Sequence, residues 1–185
     1  MKKKPSTLIN MVVSLTVIAT VAALCLGSVY TITKEPIELA KKAKQEAAIK
    51  AVLPEFDNLE TETQTIDGGE LIVNKATKNG ELVGTAVETF TNKGFGGQIK
   101  LMVGLLPDGS IYDISVLSHS ETPGLGDKID IKKSDFPTQF KGKKPATFNL
   151  SVTKDGGDVD AITAATISSR AYCDAVQRAS NTVKN

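Results

Sequence analysis

Residues 160–169 read D-A-I-T-A-A-T-I-S-S, an Asp and four hydroxyls among small apolar residues, just ahead of a helical pattern. Thr163 fits an N-cap, with Ala164 as the first helical residue and Thr166 as the third. One chemistry suits this spacing. A helix start presents unpaired N–H groups and the positive end of a dipole, so it favours a phosphate. Ala164 and Ala165 leave room for a ligand near the backbone. A phosphate tethered to the Thr166 hydroxyl would have its charge stabilised there. The same residues also suit an ordinary capped helix with small residues for close packing, and spacing alone leaves both open.

A second stretch, H-S-E-T-P-G-L-G at 119–126, follows a strand pattern. Pro123-Gly124 is a turn signal. Glu121 and Thr122 add hydrogen-bonding side chains, and Gly124 and Gly126 allow a flat ligand to approach the backbone around Leu125. Loops on a rigid sheet concentrate binding residues, although many Pro-Gly turns are only turns. A third stretch, G-F-G-G at 94–97, lacks the helix and Lys of a P-loop and the spacing of a dinucleotide fingerprint. It reads as a flexible strand entry able to line a ligand. His119 suits a structural hydrogen bond better than a proton shuttle. Lys141, Lys143 and Lys144 read as a solvated loop, and the sequon at Asn149 as part of a strand.

These stretches need a scaffold. Residues 8–30 form an uncharged apolar run of 23 residues, about 35 Å as a helix and enough to cross a hydrocarbon core of about 30 Å. Lys2, Lys3 and Lys4 precede it, which predicts a cytoplasmic N-terminus and an extracytoplasmic remainder. A cleaved signal peptide fits less well, because the run is too long and no small-residue cleavage site follows. Residues 34–53 read as a helix leaving the membrane. Pro36 falls in its first turn, and Ile37, Ala40, Ala47 and Val52 form an apolar stripe. From about residue 60 the pattern changes to short strands. Turn signals stand at Gly68-Gly69, Asn79-Gly80 and Asp108-Gly109. Strands over 98–106 and 110–118 should pair, a further strand is expected at 147–153, and a last helix runs over about 164–182. Its apolar side carries Ile167, Ala171, Ala175, Val176, Ala179 and Val183. The fold class is α+β: one N-terminal transmembrane helix, then an antiparallel sheet with packed helices. The division is a cytoplasmic end at 1–7, a span at 8–30, a juxtamembrane helix at 31–55 and an extracytoplasmic domain at 56–185.

Composition excludes several classes. The net charge is +1 and no basic tract follows the first residues, so nothing suggests nucleic acid. Cys25 and Cys173 are far apart, and with one histidine there is no metal-ligand spacing. No acid–base or nucleophilic triad is visible.

Taken together, G-F-G-G, H-S-E-T-P-G-L-G and D-A-I-T-A-A-T-I-S-S, in that order behind one span, resemble the FMN-binding domain family. The resemblance covers nearly the whole chain. It implies that Thr166 carries FMN through a phosphoester bond, installed from FAD by a flavin transferase. Asp160, Thr163, Ala165 and Thr166 match the pattern that the transferase recognises, and Ala164 stands where Gly is commoner. It further implies that Glu121, Thr122, Gly124, Leu125 and Gly126 contact the flavin, with Thr163, Ala164 and Ala165 beside the attachment point. Within the family, the length favours Rnf-type complexes, which couple ferredoxin–NAD electron transfer to Na⁺ or H⁺ translocation, over sodium-pumping NADH:quinone oxidoreductases. The expected partners are the other subunits of such a complex in the inner membrane. The rival of another class is an anchored sensory module that holds flavin noncovalently.

Overall fold

The tight turns decide the sheet. Asn79 and Gly80 both take positive φ, 53° and 84°, as a two-residue hairpin turn requires. They join β2 (Gly69–Lys78) to β3 (Glu81–Thr91). Around Asp108-Gly109 the Asp108 carboxylate accepts from the Ser110 N–H at 3.0 Å and its hydroxyl at 2.6 Å. That turn joins β4 (Ile99–Leu105) to β5 (Ile111–Ser118). With β1 (Asn58–Ile66) these strands form one antiparallel sheet in the order β1-β2-β3-β4-β5. The strands at 98–106 and 110–118 pair as expected. The computed structural model describes residues 7–66 and 69–183. Lys2, Lys3, Lys4 and Gly68 therefore lie outside the described residues.

The chain divides into two units, Met1–Ala43 and Lys44–Asn185. In the first, helix α1 (Leu8–Val52) begins; its apolar part reaches a mean hydropathy of 2.3 and is long enough to cross a membrane. The expected break before a separate juxtamembrane helix does not occur. Pro36 lies inside α1. It removes one backbone hydrogen bond, while the Ala, Lys, Glu and Leu residues around it are strong helix formers.

In the second unit the sheet is covered on both faces, so β4 is buried almost throughout. On one face Ala48, Ile49, Val52 and Leu53 pack on Ala76, Ala86, Met102 and Leu117. The buried stripe is thus Ala48-Ile49-Val52, and Ala47 is exposed. Gly104 makes this contact possible, since a Cβ there would sit 1.7 Å from the Val52 carbonyl oxygen. On the other face lies the main core, where Ile99, Leu101, Val103 and Leu105 of β4 meet α2 (Thr166–Val183) through Ala171, Tyr172, Ala175, Val176 and Ala179. From the neighbouring β3, the Thr89 hydroxyl donates to the Ala175 carbonyl of α2 at 3.0 Å. Ile167 and Val183, expected on the buried side, are exposed. They stand in the first and last turns, at the ends of the packed stretch.

The strand expected at 147–153 is not formed. Leu150 and Val152 point into the core as an alternating pattern requires, but the backbone bonds are local. Asp158 N–H donates to the Asn149 carbonyl and Asn149 N–H to the Asp158 carboxylate. Only an isolated parallel bridge joins Val152 to Val159. The edge of β5 is meanwhile partly taken, because Ile111 exchanges hydrogen bonds with Lys143 and Gly142. The lysines of this region are paired: Lys141 with Asp113, Lys144 with Asp108, and Lys143 over the Phe148 ring.

Candidate functional site

Three loops converge beside the start of α2. The helix begins at Thr166, two residues later than the spacing suggests. Ahead of it, Ala165 N–H donates to the Ile162 carbonyl at 3.0 Å, closing a turn in which Ala164 has φ +62°. Positive φ at that position is the signature of a type II turn, normally a glycine site. Ser169 N–H makes the first helical bond to Ala165. Ala165 is therefore the cap residue, Thr163 is an exposed turn residue, and Ala164 is not helical. Ala165 has no side-chain oxygen to cap the amides of 166–168, so the helix mouth keeps its donors for another acceptor. Thr166 is half-buried at that mouth.

Two serines of the first turn hold the surroundings. Ser169 Oγ accepts from Ile162 N–H and donates to the Ala165 carbonyl, both at 3.0 Å, fixing the turn to the helix. Ser168 donates to Oε2 of Glu121. The other Glu121 oxygen accepts from Gly96 N–H at 2.9 Å. The Glu121 N–H in turn donates to His119 Nδ1 at 3.1 Å, so the histidine props the loop. The Thr122 carbonyl accepts from the Leu125 and Asp127 amides, which rolls the loop into a tight bend through Gly124 at φ +77°.

Between these pieces lies a cleft of about 330 Å³, at the lower end of small-molecule sites. Phe95, Glu121, Thr122, Leu125, Gly126, Ala164, Ala165, Thr166, Ile167 and Ser168 line it. Of the residues expected from sequence, Glu121, Thr122, Leu125, Gly126, Ala164, Ala165 and Thr166 come together here. Gly124 and Thr163 do not line the cleft. Asp160 has an exposed side chain away from the lining, and its backbone is held by Gln139, which donates to its carbonyl at 3.1 Å and accepts from its N–H at 2.8 Å. The 94–97 stretch, read from sequence as able to line a ligand, does so through Phe95, although no role was assigned to that side chain; Ile167 and Ser168 were missed as site residues. Phe95 is 69% exposed and Ile167 48%, so both present apolar surface at the cleft. The available signal for Phe95 was an aromatic between glycines, and for Ser168 and Ser169 a hydroxyl pair inside an otherwise apolar helix face. Among the described residues no cluster of His, Cys, Asp and Glu is able to hold a metal.

A helix mouth with uncapped amides, a hydroxyl at its first residue and a largely apolar cleft alongside form a site able to take an anionic group next to an apolar one. A family model described as the FMN-binding domain matches residues 94–181, from the Gly94 loop into the last turn of α2. Relatives match over more of the chain. The G subunit of an ion-translocating oxidoreductase complex from Vibrio vulnificus is 37% identical over 83% of this chain and 77% of its own length. The corresponding protein of Shewanella baltica is 35% identical over 88% and 84%. That of Shewanella piezotolerans is 46% identical over 56% of this chain and half of its own length. The chain belongs to the family of G subunits of ion-translocating oxidoreductase complexes.

Proposed function

We propose that this chain is an electron-carrying subunit in which FMN is joined through its phosphate to the hydroxyl of Thr166, within a membrane complex that couples ferredoxin–NAD electron transfer to Na⁺ or H⁺ translocation. The observation that carries the reading is the position of Thr166: first residue of α2, at an uncapped helix mouth, on the wall of an apolar cleft. Attachment is a phosphoryl transfer. The Thr166 oxygen forms a bond to phosphorus, the pyrophosphate bond of FAD breaks, AMP leaves, and the hydroxyl proton passes to a base on the flavin transferase. Asp160, Thr163 and Ala165 supply the pattern that the transferase reads. Asp160 and Thr163 suit that task because both are exposed, outside the cleft lining.

When bound, FMN supplies reversible electron uptake. The residues of the chain do the rest. The amides at the start of α2 hold the phosphate charge. Phe95, Leu125 and Ile167, all exposed, offer apolar surface to the ring. The Thr122 side chain and the backbone of Gly126 offer hydrogen-bonding groups to its polar edge. The 119–126 bend keeps those groups in place. The apolar part of α1 anchors the chain in the membrane and docks on integral subunits of the complex. Lys2, Lys3 and Lys4 keep the N-terminus cytoplasmic, which puts the FMN domain on the extracytoplasmic side of the inner membrane.

A denaturing gel of protein made together with the transferase tests attachment. A fluorescent band is expected for the unaltered chain and should be absent in Thr166→Ala. A dark band from the unaltered chain, alongside a related substrate that the same transferase does label, defeats the proposal.

A further inference from the structure

Glu121 is the most buried charged side chain of the site, 5% exposed. Both of its oxygens are engaged within the protein, by Gly96 N–H at 2.9 Å and by the Ser168 hydroxyl. The Gly96 N–H can only donate, and the Ser168 hydroxyl bonds the second oxygen. Glycines are packed around it. A Cβ at Gly94 would sit 2.6 Å from Oε1, and one at Gly126 2.7 Å from Oε2. A Cβ at Gly96 would sit 1.9 Å from the Ser120 carbonyl oxygen. The three segments that build the cleft therefore meet on one carboxylate: the 94–97 loop with Phe95, the 119–126 bend, and the first turn of α2 with Thr166.

We propose that Glu121 is a positioning residue rather than a flavin ligand: its carboxylate clasps the Phe95 loop to the first turn of α2, and its fixed negative charge lowers the reduction potential of the flavin held beside it. The two effects separate by substitution. Ala removes the clasp and the charge together. Gln keeps the shape, with an oxygen for Gly96 N–H and an N–H for Ser168, and removes only the charge. A fixed negative charge near the ring opposes the arrival of an electron, so removing it makes reduction easier.

The second half rests on the proposed function, so the test has an arm that does not need the flavin. In the full-length Thr166→Ala chain in detergent, hydrogen exchange of the peptide containing Gly96 is measured by mass spectrometry. Glu121→Ala should speed exchange there at least tenfold over the parent, and Glu121→Gln should stay within about threefold. If Glu121→Ala does not fold, Ser168→Ala replaces it, with a smaller acceleration expected. Parent-like exchange in the folded variant overturns the clasp, whether or not any chain takes flavin. In the flavin-loaded chain, Glu121→Gln should raise the midpoint potential relative to the unaltered protein, and Ser168→Ala, which keeps the charge, should move it much less. An unchanged or lowered potential in Glu121→Gln overturns the electrostatic role. Failure of the unaltered chain to take flavin counts against the proposed function alone, because the exchange arm still decides the clasp.

Discussion

At position 164 the backbone adopts φ +62° with a methyl group attached. The left-handed region costs a non-glycine residue about 1–2 kcal/mol, and that cost sits two residues from the proposed attachment point. Ala164→Gly relieves it but also loosens the unfolded chain, an effect of about 0.4–1 kcal/mol in the opposite sense. The net expectation is a stabilisation of about 0.5–1 kcal/mol, read as a higher urea midpoint for the solubilised chain. A lower midpoint would show that the turn is not strained. Cys173 offers a second check at this scale. It is buried in α2, and burial pushes its thiol up to about 12. At pH 8 it should stay unreactive towards a thiol reagent in a Cys25→Ala background and become fully reactive in denaturant. Rapid labelling of the folded chain would contradict the packing of α2. The hydroxyl proposed for attachment, the carboxylate and the Pro-Gly loop were all legible in the sequence, because each is a residue type with a distinctive chemistry. Ser168 and Ser169 were not, because their roles depend on which loops meet in space, and of the 94–97 stretch the sequence showed only that it could line a ligand, not that Phe95 would face it.

The elements follow from pattern where bonds are regular and depart from it where they are local. Asn79-Gly80 and Asp108-Gly109 set two hairpins, since their turn types demand those residues. Residues 147–153 alternate as a strand does, yet Asp158 ties the backbone at Asn149 into a local turn. Periodicity reports which side chains point inward and is silent on where backbone hydrogen bonds go. The start of α2 shows the same limit. Thr163 has the chemistry of a cap, but the Ser169 hydroxyl bonds to Ile162 and Ala165 and fixes a turn there instead. One prediction belongs to the contact between sheet and α1. A Cβ at residue 104 would overlap the Val52 carbonyl, 1.7 Å away, and neither backbone is free to retreat. Gly104→Ala should destabilise the second unit by about 1–3 kcal/mol or more, measured by chemical denaturation. A neutral effect would mean that the end of α1 does not rest on β4 as described.

For the whole molecule, the question is what an anchored domain of this kind does. The long apolar run was evident from its length and lack of charge, and the α+β class from the turn signals and alternating patterns that follow it. The continuity of α1 through Pro36 was not, because a single proline reads as a boundary and its cost is offset by helix-forming neighbours. The proposed arrangement places residues 56–185 outside the cytoplasmic membrane. In spheroplasts an added protease should then remove the domain while a cytoplasmic marker survives; protection of the domain until lysis would reverse the orientation.

The central claim concerns a single bond. The chain should be isolated from its native membrane and digested, and the peptide spanning 160–170 weighed and fragmented. A mass increased by FMN less one water, with the addition located on Thr166, is the predicted result. The bare peptide as the dominant species, or the addition on another residue, would contradict the account.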